Sequence, residues 1–157
     1  MHRLERRRRC SHATNRTRFT LVASLVVALA LLAGQAAQAR SDTYLNFMTP
    51  SKNIRCMYWK EAGQAAFLRC DIYSGFRPLP RRPASCDADW SVSVGMLKTG
   101  RAHMNCVGDA VDFGRVLRYG TSWQYGGFRC TSRTIGLTCK NQSGHGFFLS
   151  RERSYFF

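Results

Sequence analysis

The chain has 157 residues, 24 Lys and Arg against nine Asp and Glu, a formal charge of +15 and seven cysteines. That length holds one domain and leaves no room for a large two-domain catalytic cleft. The composition excludes collagen, a long coiled coil and a polytopic membrane protein, and 18 aromatic residues after position 39 argue against disorder.

The N-terminus reads as an export signal. Arg6 to Arg9, Arg16 and Arg18 precede an uncharged run of 15 residues, Phe19–Ala33, and Ala37 and Ala39 form an A-x-A site. Cleavage is expected after Ala39. An uncleaved anchor would need about 20 apolar residues, more than this run supplies. The expected mature chain, residues 40–157, keeps 17 basic and eight acidic residues, a net charge of +9. With no spanning segment after processing, the localisation expected is secreted or extracytoplasmic, in the cell envelope.

Along that chain the dominant pattern has period two, which predicts strands. Ile54, Cys56 and Tyr58 alternate with Arg55, Met57 and Trp59. Leu68, Cys70 and Ile72 alternate with Arg69 and Asp71. Arg77–Pro83, RPLPRRP, is a proline-rich loop. Val92, Val94 and Met96 then share a face, and after the turn Lys98-Thr99-Gly100 so do Ala102, Met104 and Cys106. Phe128 and Cys130 alternate with Arg129 and Thr131; His145, Phe147 and Leu149 alternate with Gly146, Phe148 and Ser150. Glycines punctuate the runs as turns require, and helix signals are poor. The fold class expected is all-β: one small sandwich or barrel of seven or eight short strands. Arg precedes Cys three times, in Asn53–Cys56, Phe67–Cys70 and Gly127–Cys130, a weak repeat.

Cys10 lies in the leader. Six cysteines remain, Cys56, Cys70, Cys86, Cys106, Cys130 and Cys139, separated by 13, 15, 19, 23 and 8 residues. Structural zinc wants C-x2-4-C pairs, and there are none. An even count in a short exported chain points to disulfides instead. Six cysteines allow 15 pairings. Hairpin geometry favours the sequential set: Cys56–Cys70, Cys86–Cys106 and Cys130–Cys139.

The C-terminal stretch Gly136-Leu137-Thr138-Cys139-Lys140-Asn141, followed by Ser143-Gly144-His145-Gly146-Phe147 and Leu149-Ser150-Arg151, is distinctive. With Phe47–Cys56, Leu68–Ile72 and Leu117–Gly120 upstream, it resembles a family of small exported, mostly actinobacterial proteins that share a domain of unknown function. The resemblance spans roughly Tyr44 to Arg151. It implies an exported, cysteine-stapled single domain, and no activity.

Chemistry-bearing motifs are sparse. G-x-S-x-G, P-loop and dinucleotide fingerprints are absent, and no cofactor or metal is expected. Asp109 and Asp112 lack the further oxygen ligands of a calcium loop and read as a turn. Asn141-Gln142-Ser143 matches a glycosylation acceptor. Tyr155-Phe156-Phe157 ends the chain as outer-membrane barrels end, but short strands and six cysteines speak for a packed terminal strand. His145, between two glycines, and His103, on a polar strand face, are the catalytic candidates. General acid–base chemistry would need both beside one substrate. The candidate ligand contacts are Arg77, Arg81 and Arg82 in the loop, and Arg115 and Arg118 near the aromatic planes of Trp123 and Tyr125. A net charge this positive attracts polyanions. The function expected is a non-catalytic module contacting an anionic envelope polymer, an anionic lipid or an envelope protein, with nucleic acid less favoured. The alternative is a small exported hydrolase, ribonuclease-like or wall-acting, built on His145 alone or with His103.

Overall fold

A computed structural model describes residues 41–157, so the leader and the cleavage expected after Ala39 lie outside the described residues. The strands are β1 (Thr43–Met48), β2 (Ile54–Lys60), β3 (Phe67–Ile72), β4 (Ser93–Leu97), β5 (His103–Met104), β6 (Arg115–Val116), β7 (Ser122–Tyr125), β8 (Phe128–Arg133), β9 (Gly136–Lys140), β10 (Gly146–Leu149) and β11 (Ser154–Phe156). They form two sheets, in the orders β5-β4-β3-β2-β1-β6 and β11-β10-β9-β8-β7. The all-β expectation holds in its sandwich form rather than as a closed barrel. Eleven strands replace the expected seven or eight. The extra ones are mostly two- to four-residue pieces, too short for alternation to register.

The core follows from the pleat. Phe47, Ile54, Cys56, Tyr58, Leu68, Cys70, Ile72, Val94 and Met96 from the first sheet meet Phe128, Cys130, Leu137, Cys139, Phe147 and Leu149 from the second in one buried cluster. Cys56 lies opposite Cys70 in the β2–β3 register, and Cys130 opposite Cys139 in β8–β9. Both pairs are bonded, with Cα–Cα distances of 4.0 and 4.1 Å, and all four residues are fully buried. The third bond, Cys86–Cys106, ties the end of the proline-rich connector to the chain just past β5. The sequential pairing is thus the one observed. One detail differs from expectation: β5 ends at Met104, so Cys106 falls beyond the strand and is exposed instead of sharing a buried face with Ala102 and Met104.

The chain between β5 and β6 must join opposite edges of the first sheet. Five strand spacings are about 24 Å, within reach of ten extended residues. It crosses the outer face as a strap. Arg69 is the anchor. It is 8% exposed, and its guanidinium holds Asp71 (Nε–Oδ1 2.9 Å, Nη2–Oδ2 3.0 Å), the Ser93 hydroxyl at 3.1 Å, and both the carboxylate and the carbonyl of Asp109, at 2.9 and 2.6 Å. Asp71 accepts a further bond from the Val111 amide at 2.8 Å. Further along, Phe113 lies over the Arg55 guanidinium at 3.6 Å, with Tyr73 beside it at 4.4 Å. At Gly114 a Cβ would collide with the Asn46 backbone, so only glycine lets the strap drop into parallel pairing of β6 with β1. Asp109 sits at a bend of the strap rather than in a turn, and its carboxylate is held by Arg69.

Two outcomes follow. Replacing Cys56 and Cys70 together by Ala should lower unfolding stability by about 3 kcal/mol, the figure for a loop of roughly 15 residues, read from the urea midpoint. The hydrogen bond and charge of Arg69 hold the Asp109 carboxyl below the usual carboxylate range. A depressed folded value means that the strap contact is complete above the unfolded pKa, about 3.9. It is lost as pH falls through the lower folded value. Amide shifts of Gly108–Val111 followed by NMR should show that titration, and Asp109→Asn should abolish it.

Candidate functional site

The sequence candidates scatter. Trp123 and Tyr125 point inward from the edge strand β7. Trp123 stacks on Phe47 at 4.9 Å, and Tyr125 meets Tyr58 edge-on at 4.9 Å. Trp123 packs against the core, while Tyr125 stays 45% exposed at its rim. Arg115 and Arg118 are exposed, on and just after β6. Arg77 donates to the Ser74 carbonyl at 3.2–3.3 Å and Arg82 to the Cys86 carbonyl at 2.9 Å, so both brace their own loop. Arg81 is exposed. His103 stands exposed on the outer face of the first sheet, 6.2 Å from the Phe67 ring. His145 is half-buried in the β9–β10 turn. That turn is docked onto the β4–β5 turn by Asn141 Nδ2, which donates to the Leu97 and Gly100 carbonyls at 3.1 and 2.7 Å. Asn141 is 7% exposed with its amide so engaged, which removes it as a glycosylation acceptor in the fold. The two imidazoles belong to different elements, and neither lines the cavities described below.

The pleat gathers another set on the outer face of the second sheet. With Cys130 and Cys139 pointing in, Arg129, Thr131, Arg133, Thr138 and Lys140 point out. Arg129 stands directly opposite Lys140, and Thr131 opposite Thr138. That second row continues through Phe148 to Tyr155, whose rings stack at 5.2 Å. The Arg153 guanidinium lies 5.7–5.8 Å from both rings, and the Lys140 ammonium 5.5 Å from that of Phe157. Gln124 on β7 accepts from Arg129 at 3.0–3.2 Å and aims it across the face. Among the described residues, ion pairs within 4 Å involve Arg69 alone, so these outer cations face no carboxylate at that range. Like charges directly opposite on adjacent strands cost stability. The fold carries that cost at Arg129 and Lys140.

Two depressions open at one end of this face. One, about 200 Å³, lies where four connections converge and includes Thr49, Ser51, Tyr119, Arg133, Arg151 and Glu152. The other, about 320 Å³, includes Arg133, Thr138, Phe148, Arg153 and Tyr155. They share Arg133, Ile135 and Gly136 and so adjoin at the β8–β9 hairpin tip as a two-part groove. The hydrogen bond of the Ser150 hydroxyl, with help from its own backbone, lowers the Glu152 pKa, so this carboxylate is ionised at neutral pH. A third cavity of about 460 Å³, beside the strap, includes Asp71, Asp89, Asp109, Val92 and Val107. Arg69 answers two of its three carboxylates. Among the described residues no cluster of His, Cys, Asp or Glu is arranged to hold a metal ion, and no helix is long and apolar enough to cross a membrane.

Arg129, Arg133, Lys140, Arg151 and Arg153 were not singled out from sequence. For the first three the signal was present: they occupy the positions opposite in parity to Cys130 and Cys139. For Arg151 and Arg153 there was none, because their position depends on where the β10–β11 turn lands.

Residues 23–157 match the profile of DUF6636, a family of unknown function, and the chain belongs to that family. No curated protein matches the chain, and no solved structure does.

Replacing Lys140 with Glu converts the like-charge pair into an opposite-charge one. Stability should rise by up to about 1 kcal/mol, seen as a higher urea midpoint with unchanged slope.

Proposed function

We propose that this DUF6636 chain is an exported, non-catalytic binding module that grips an anionic polymer of the cell envelope with the outer face of its second sheet. One observation carries the reading. Arg129, Arg133 and Lys140, with Arg153 from the β10–β11 turn, share an outer face whose other outward residues are uncharged, among them Ser122, Gln124, Thr131, Thr138 and Tyr155, and among the described residues none of the four has an ion-pair partner. A structural role would pair such charges; an anionic ligand neutralises them on arrival. The leader sequence and three intramolecular disulfides support an oxidising compartment outside the cytosol. A polymer fits better than a lipid surface, because Thr131, Thr138 and Tyr155 set hydroxyls between the cations, while the exposed apolar side chains Ile135 and Phe157 stand near opposite ends of β9 and form no continuous ridge. The hydrolase alternative gains nothing from His103 and His145, which stand on separate elements and line none of the three cavities described above.

Binding to a carboxylate- or phosphate-bearing wall polymer should be detectable by calorimetry at about 20 mM salt and weaken as screening increases. The variant Arg129→Gln/Arg133→Gln/Lys140→Gln/Arg153→Gln should lose at least tenfold in affinity, while Arg81→Gln should bind as the unaltered protein does. No binding at low salt, or equal binding by the quadruple variant, rejects the proposal.

A further inference from the structure

We infer that the two-part groove around the β8–β9 hairpin tip is a pair of subsites for adjacent sugar rings, the smaller part taking a ring that bears a single negative charge, so that the polymer gripped is an acidic glycan. This rests on the binding face proposed above and names its ligand class.

The lining of the groove distinguishes a sugar from a bare polyanion. Its smaller end is walled by side chains already fixed in place. The Ser150 hydroxyl accepts from the Glu152 and Arg153 amides at 3.2 and 3.1 Å and lies 3.0 Å from the Arg153 carbonyl. Asn53 exchanges two 3.0 Å bonds with Ser74. Against this rigid wall Tyr119, Arg133, Thr134, Arg151 and Glu152 line the same space. Two guanidinium groups and one ionised carboxylate sum to a single positive charge, which matches one anionic group. The carboxylate is the decisive feature. It repels a polyphosphate chain but accepts hydrogen bonds from sugar hydroxyls, which are donors that a phosphodiester lacks. The larger end offers the exposed face of Tyr155, backed by Phe148 at 5.2 Å, as a flat platform for the C–H side of a pyranose, with Arg153 alongside. Volumes of about 200 and 320 Å³ lie at or below the low end for drug-sized ligands and suit one ring each. A lipid headgroup would fill the smaller end only and leave Tyr155 without a role.

The test uses the protein spanning residues 40–157 with its disulfides formed, titrated by calorimetry and by amide NMR. The three probes are an oligogalacturonate, its neutral methyl ester, and linear polyphosphate. The oligogalacturonate should bind and shift the amides of Arg133–Gly136 and Arg151–Tyr155, and the neutral ester should bind at least tenfold more weakly. Glu152→Gln should weaken oligogalacturonate about fivefold, the equivalent of one hydrogen bond, while strengthening polyphosphate. Tyr155→Ala should weaken the oligosaccharide and leave polyphosphate unchanged; both variants are at exposed positions and their amide spectra report folding. Polyphosphate binding without oligogalacturonate binding, or Glu152→Gln strengthening both, overturns the sugar subsite and leaves the anionic face standing. Failure of both anions to bind overturns the two together.

Discussion

Two buried cystines fix the parity of this sandwich. A cross-strand disulfide joins residues directly opposite one another, and side chains alternate along a strand. Once Cys56–Cys70 and Cys130–Cys139 point into the core, the residue before each cysteine must point out. That residue is Arg in three of the four cases: Arg55, Arg69 and Arg129. The recurring Arg-Cys pair is thus one local solution used in two sheets, a covalently locked interior position beside a charged exterior one. A slip of one residue in either hairpin would bury the guanidinium and expose the sulfur, so the bond and the charge enforce the same register.

What differs is the surroundings of each arginine. Arg69 lies beneath the strap, where it is desolvated and answered by two carboxylates, a hydroxyl and a carbonyl. Removing it would strand Asp71, which is 2% exposed, and breaking a buried pair from one side is costly. Arg55 is held between two aromatic rings. Arg129 meets only a glutamine and a facing lysine. The strap thus covers and answers the arginines on the outer face of the first sheet. Among the described residues no comparable strap crosses the second sheet, and its outer cations have no ion-pair partner.

Much of this fold was legible because disulfides and alternation are local signals. Cys130 and Cys139, eight residues apart around a turn, leave little choice of partner, and the alternation around Cys56 and Cys70 gives their face directly. The strap was not legible. Asp109 looks like any turn residue until β5 and β6 are known to lie at opposite edges of one sheet. Trp123 suggested a ligand platform because an aromatic near arginine has the same appearance at a groove and at a core rim; the packing of Phe47 against Trp123 places its ring on the core side. Cys106 misled for a smaller reason: period two was extended past the last strand residue. The groove was the least visible feature. Its walls come from the turns after β1, β6, β8 and β10, which become neighbours only after two sheets have stacked.

The strap has a consequence for how the molecule would sit on a surface. With one broad side crossed by the strap and the other carrying unpaired cations, the binding proposed above would make the domain a tile with a single adhesive side. Laid on an anionic matrix, it would turn the aromatic and acidic strap residues, Phe113 and Asp112 among them, toward the surroundings. It would therefore change the character of whatever it coats from negative and hydrophilic to a more neutral, partly aromatic coating.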